Sequence, residues 1–241
     1  MAQAKEVFQR YEKKYMLSAR QQQLLMEKLA GYMNVDQYGL HTISNIYYDT
    51  DNYELIRTSI ERPIYKEKLR LRAYGTPGEE DFVFLEIKKK FKGIVYKRRV
   101  QLKLREARYY LQEGEQPENS GQILREIDWV WNKYHLVPKV LIAYDRLALF
   151  GKEDENLRIT FDQNIRFRES VLDLSKGPWG YPLLDPERFL MEIKIPDAMP
   201  LWLSKLLNEQ RIFPASYSKY GQCYKEYLID RQYKKGGVTC A

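Results

Sequence analysis

The chain has 241 residues, 44% of them hydrophobic, which excludes a wholly disordered chain and suits one large domain. Net charge is +7, and it is focused: residues 62–105 hold 14 Lys/Arg against 5 Asp/Glu, so an anionic partner is expected. Its two cysteines, Cys223 and Cys240, stand in no zinc or disulfide-framework spacing, no run of about 18 apolar residues exists, and no apolar leader opens the chain, so a soluble cytoplasmic protein without a membrane segment is expected.

In chain order, the pattern predicts a strand at 8–16 and a helix at 18–33, whose start at Ser18 and Gln21 has capping-box spacing. Strands follow at 42–49, 65–74, 82–90 and 95–103, with β-branched or aromatic residues at period two. Gly75-Thr76-Pro77-Gly78 and Phe91-Lys92-Gly93 read as hairpin turns, which favour antiparallel pairing. Helices come next, at about 103–113 and at 120–135. The second has Ile123, Ile127, Val130, Trp131 and Tyr134 on one face, as a packing stripe. Strands at 138–150, 156–168 and 188–195 and helices at 199–211 and 217–230 complete the set. Residues 172–187 read as a loop and 234–241 as a disordered tail. The whole is one domain, 1–241, with an ordered core of about 6–230.

Six strands alternate between an apolar face and one rich in Lys, Arg and Glu. Lys68, Arg70 and Arg72 share a face, as do Glu86 and Lys88, Lys97 and Arg99, and Glu192 and Lys194. Arg10, Glu12 and Lys14 make a fifth set, and Arg158, Thr160 and Asp162 a sixth. The alternation alone fits a charged exterior and a charged interior equally. The amphipathic helices favour the interior, because packed outside they would cover the apolar face. A lumen crowded with like charges is costly when empty and becomes favourable around a polyanion such as a phosphate chain. The carboxylates Glu12, Glu86, Asp162 and Glu192 on that face make sense as ligands to Mg²⁺ or Mn²⁺, or as partners of the lysines.

The motifs are Arg-Tyr-Glu-Lys-Lys-Tyr at 10–15, Ile-Tyr-Tyr-Asp-Thr at 46–50 and Glu-Lys-Leu-Arg-Leu-Arg-Ala-Tyr-Gly at 67–75. They continue with Phe-Leu-Glu-Ile-Lys at 84–88, Tyr-Lys-Arg-Arg at 96–99, Tyr-Asp-Arg at 144–146, Leu-Arg-Ile-Thr-Phe-Asp at 157–162, Met-Glu-Ile-Lys at 191–194 and Ser-Lys-Tyr at 218–220. In this order they resemble the VTC domain, the polyphosphate polymerase domain of the vacuolar transporter chaperone family, in the triphosphate tunnel metalloenzyme (CYTH-like) superfamily. The resemblance implies an α+β fold: an antiparallel eight-stranded β-barrel tunnel with flanking helices. It also implies ATP-dependent, metal-dependent polyphosphate synthesis. By position, Lys14, Arg70, Arg72, Lys88, Lys97, Arg146 and Arg158 would line the tunnel and hold phosphates, and all but Lys97 would be catalytic. Lys68, Arg99, Lys194, Ser218 and Lys219 would add phosphate contacts, with Ser218 and Lys219 near a tunnel mouth. Glu192 would bind the metal, Glu12 and Glu86 being further candidates.

The hydrolytic tunnel enzymes usually begin with Glu-x-Glu-x-Lys, whereas here Arg10 stands in the first carboxylate's place, which looks more like the polymerase branch. The expected partners are ATP and inorganic polyphosphate or triphosphate, with a membrane-associated protein as a candidate recipient of product. A metal-dependent triphosphatase and a non-enzymatic polyphosphate or nucleotide sensor are the alternatives. Nucleic acid is disfavoured because Glu is interleaved with the basic residues. His41 and His135 are isolated, and no P-loop spacing is present.

Overall fold

A computed structural model describes residues 11–229, except 62, 93, 116, 118–120 and 197. Arg10, Cys240 and the tail from 234, about which the sequence made expectations, lie outside the described residues. Ten antiparallel strands make one sheet. They are β1 (Tyr11–Ser18), β2 (Met33–Val35), β3 (His41–Asp49), β4 (Tyr65–Tyr74), β5 (Phe82–Phe91), β6 (Ile94–Lys103), β7 (Val137–Gly151), β8 (Arg158–Arg168), β9 (Tyr181–Pro182) and β10 (Arg188–Ile195). The hydrogen-bonded path runs β1-β10-β8-β7-β3-β4-β5-β6, with β2 added to β7 and β9 to β8. The eight strands of that path are the eight expected from the sequence. β1 and β6 are not paired with each other, so the sheet curls round a cavity without closing by hydrogen bonds among the described residues.

Six helices pack on this sheet: α1 (Ala19–Leu29), α2 (Glu54–Ile60), α3 (Leu104–Glu113), α4 (Gln122–Tyr134), α5 (Leu201–Glu209) and α6 (Lys219–Cys223). The last runs on as a π turn, Tyr224–Leu228. The Ser18–Gln21 capping box forms, each side chain meeting the other's backbone N–H at 3.3 and 3.1 Å. α1 stops at Leu29, four residues short of the expected end, and Met33–Val35 pairs with β7 instead. The loop expected at 172–187 contains a short 3₁₀ turn, Leu174–Lys176, and β9. That loop is anchored by Arg168, a fully buried guanidinium that donates to the carbonyls of Val171, Asp173, Gly177 and Trp179 at 2.7–3.0 Å.

The apolar face of the sheet is convex. Over β4, β5 and β6, residues Leu69, Leu71, Leu85 and Ile87 pack beneath α3 and α4. The predicted stripe of α4 lies in this layer, with Ile127 and Val130 buried and Ile123, Trp131 and Tyr134 against it. Over β1, β10 and β8, residues Leu17, Phe161, Met191 and Ile193 pack beneath α1 and α5. A third core lies on the concave side, where Ile56 of α2 and Tyr220, Cys223 and Tyr224 meet Ile43, Tyr47, Val140 and Ile142. Helices on the outside bury the apolar face, and the charged face is left to the interior.

Helix α2 was not expected. Its first turn is capped from a distance by Asp49 at the end of β3, which accepts from the backbone N–H groups of Leu55 (2.8 Å) and Ile56 (3.0 Å). The same carboxylate accepts from Thr50 N–H at 2.8 Å and the Tyr220 hydroxyl at 3.0 Å, so one buried group ties β3, α2 and α6 together. The two histidines serve locally. His41 Nδ1 lies 3.0 Å from the Gly39 carbonyl, and His135 ends α4 in a left-handed conformation (φ 49°).

Candidate phosphate-binding cavity

The concave face encloses a cavity of about 950 Å³ whose lining includes thirteen Lys and Arg and three carboxylates, Glu12, Glu86 and Glu192. Every strand of the central path except β8 contributes to its wall. The period-two alternation brings the cations to one face, and the antiparallel register stacks them across strands. Arg70 stands opposite Glu86, Lys68 opposite Lys88, Lys88 opposite Lys97, and Lys14 opposite Glu192.

The innermost layer is the most ordered. The Asp162 carboxylate, fully buried on β8, is gripped by Arg146 through two bonds of 2.6 and 2.7 Å, while Lys219 Nζ donates to it at 2.5 Å. Arg72 donates to Asn45 Oδ1 at 2.9 Å and to the Tyr144 hydroxyl at 3.3 Å. Tyr144 lies beneath two cations, with Arg146 5.1 Å and Lys219 4.3 Å from its ring centre. Burial alone would raise its phenol, but Arg72, Arg146 and Lys219 outweigh it and bring the group down to about 8. On the β5 wall, Glu86 accepts two bonds from Arg70 at 2.7 and 2.8 Å, and Lys97 Nζ lies 3.0 Å from its other oxygen. Burial opposes ionisation of this carboxyl, yet Arg70, Arg72 and Lys97 hold it well below the usual carboxylate range. Glu192 is likewise held low against its burial, by Lys219, Lys14 and Arg146.

Nearer the opening the cations outnumber their counter-ions. Lys68 Nζ lies 3.2 Å from Ser218 Oγ, and burial together with Lys88, Lys66, Lys14 and Arg70 pushes its ammonium down to about 7. Burial pushes Lys97 down to about 8 against the pull of Glu86. Lys88 is lowered by burial too, with Glu12 opposing. These groups are poised to gain protons and hydrogen bonds from an incoming polyanion, because the empty cavity destabilises their charge.

Of the residues expected at the site, Lys14, Lys68, Arg70, Arg72, Lys88, Lys97, Arg146, Lys194, Ser218 and Lys219 line the cavity, as do Glu12, Glu86 and Glu192. Arg158 and Arg99 do not. Arg158 is exposed beyond Lys194, its register partner. Arg99 is exposed and stacks over the Phe84 ring at 4.7 Å. Both stand on the charged side of their strands, but at strand positions that run past the cavity. Sequence reasoning missed Tyr47, Tyr144 and Asn45. Tyr144 could have been found by stepping back two residues from Arg146, and Tyr47 by the same alternation from Asn45.

A divalent cation needs oxygen donors. Among the described residues no three Asp, Glu, His or Cys converge on one point. Mg²⁺ and Mn²⁺ at phosphate sites are, however, commonly held by one or two carboxylates and completed by phosphate oxygens. Glu12 and Glu192 fit that donor set, for they lie on adjacent strands and each raises the other's resistance to ionisation. Lys14 Nζ stands between them, 3.5 Å from Glu12 and 3.1 Å from Glu192. Glu86 fits poorly, since Arg70, Arg72 and Lys97 already surround it.

The family model of the VTC domain matches residues 9–228. Among solved structures, a candidate adenylate cyclase of Bacillus halodurans is similar in fold, with 14% identity and a TM-score of 0.58 over 92% of this chain and 99% of that one. A candidate adenylyl cyclase of Hippeastrum, described as having a dominant triphosphatase activity, is 14% identical, with a TM-score of 0.50 over 95% of this chain and 97% of that one. No curated protein gives a significant match.

Proposed function

The chain belongs to the VTC domain family, and from that premise we propose that it transfers the γ-phosphate of ATP to the end of an inorganic polyphosphate chain held in the basic cavity. The supporting observation is the excess of cations on the concave wall, thirteen Lys and Arg against three Glu, around buried Arg72 and Arg146. Such a wall fits a run of phosphates better than a single small anion.

The chemistry asks little of the protein beyond alignment and charge. A terminal phosphate oxygen of the acceptor, already anionic, attacks the γ-phosphorus; the bond to the β-bridging oxygen breaks, and ADP leaves with the electron pair. Arg72 and Arg146 are fixed by Asn45 and Asp162, so they meet developing charge on the phosphoryl oxygens without reorganising. Lys14, Lys68, Lys88 and Lys97 would hold the flanking phosphates. A divalent cation between Glu12, Glu192 and the phosphate oxygens would neutralise further charge there.

A triphosphatase is the second reading. It is favoured by Glu12, a carboxylate at the cavity wall within reach of a water, and by the activity described for the Hippeastrum neighbour. The test is incubation with ATP and Mn²⁺ or Mg²⁺, with and without a short polyphosphate primer, and resolution of the products on a gel stained for polyphosphate. A ladder of chains with matching ADP, reduced about a hundredfold in Arg72→Ala, is expected for the polymerase. Free phosphate without chains would instead establish the triphosphatase.

A further inference from the structure

The two edges of the sheet differ. The outer edge of β1 is covered by the segment before α6: Tyr15 bridges to Pro214, Ala215 N–H donates to the Lys14 carbonyl at 2.7 Å, and Lys14 Nζ donates to the Tyr217 carbonyl at 3.1 Å. The outer edge of β6 pairs with no strand among the described residues. Yet Val95 and Lys97 of β6 line the same cavity as Tyr11, Glu12 and Lys14 of β1. In a closed tunnel, a wall residue at mid-strand would be as enclosed as its neighbours. Here side-chain exposure climbs toward β6, from 7% at Arg72 through 22% at Arg70 to 44% at Lys97. The cavity is therefore open along its flank, through a slot between β6 and the segment at 214–218, as well as along its axis.

We propose that this cavity takes polyphosphate sideways through the slot, seating an internal stretch of the chain, so that a free chain end is not required for binding. The inference rests on the phosphate-binding reading of the cavity. A polyphosphate chain presents the same charge at every residue, and Lys and Arg recognise each phosphate locally, without reference to an end. A slot lined by Lys97 and Lys88 offers the flank of such a chain a continuous basic approach. Threading from an end, by contrast, would move every phosphate past the paired Arg70–Glu86 wall in turn.

The experiment uses the whole chain and long linear polyphosphate, uncapped or coupled at both ends to a protein too large for the cavity. Binding is followed by titration calorimetry, and each complex is challenged with inorganic tripolyphosphate. Lateral seating predicts dissociation constants within about twofold of each other and displacement of both ligands by tripolyphosphate. A loss of at least about tenfold on double capping would overturn it in favour of threading. Binding of the capped chain that tripolyphosphate does not displace would also overturn it, placing the chain on the outer surface. Failure of the uncapped chain to bind would overturn the phosphate reading itself, and the loading mode with it.

Discussion

Lys68 and Lys97 tie affinity and stability to pH in opposite senses. Their ammonium groups are lowered to about 7 and about 8, chiefly by burial beside other cations. A bound phosphate stabilises the charged forms, so binding draws protons onto these lysines. Affinity for tripolyphosphate is therefore expected to fall as pH rises from 7 to 9, by about tenfold per pH unit for each proton taken up. The empty protein should behave the other way. Between the lowered values and the unfolded lysine range, the unfolded chain binds more protons, so these two groups make folding more favourable as pH increases. Calorimetric titration in buffers of differing ionisation enthalpy counts the protons directly. An affinity independent of pH over this range, with no proton uptake, would refute the assignment.

At the scale of elements, Asp49 governs how the cavity is roofed. It caps α2 and accepts from Tyr220, the residue after Lys219, and Tyr220 stacks on Tyr47 at 4.8 Å. Tyr47 in turn accepts from Arg70 at 3.2 Å. Asp49→Ala leaves three backbone N–H groups without their acceptor and frees α6, and is expected to cost about 2 kcal/mol or more of stability. Tyr220→Phe removes only the hydroxyl bond and should cost about 1 kcal/mol, with weaker tripolyphosphate binding as Lys219 loses its fixed place. Urea denaturation and calorimetry read the two effects separately. This arrangement was hidden in the sequence because the cap of α2 is five residues before its first helical residue. The nominal N-cap, Tyr53, lies in a left-handed conformation (φ 61°), with no side-chain cap of its own.

The whole molecule carries a cost in its empty state, for a wall of cations faces few counter-ions. A polyanion that binds only the folded form should stabilise it by about 2.7 kcal/mol at a hundred times its dissociation constant. Tripolyphosphate is thus expected to raise the melting temperature well beyond what sodium chloride of equal ionic strength achieves. Equal shifts would show general screening rather than a site. Among the described residues no helix is long and apolar enough to cross a membrane.

The sequence by itself determined the eight principal strands, the hairpins around Gly75 and Lys92, the capping box at Ser18, and the two faces of each strand. All of these follow from local rules of period, turn chemistry and capping. It also put Lys68, Arg70 and Arg72 on one face with no help from the fold. Which way that face points was decided only by tertiary structure, because a charged face reads the same inside a barrel as outside it. Packing of α1, α3, α4 and α5 on the convex side settled the direction. The open flank at β6, the exclusion of Arg158 and Arg99 from the cavity, and the sandwiching of Tyr144 by cations from β7 and α6 depend on contacts between residues far apart in the chain. Alternation fixes a side chain's face; only sheet curvature and strand ends fix whether that face reaches the cavity.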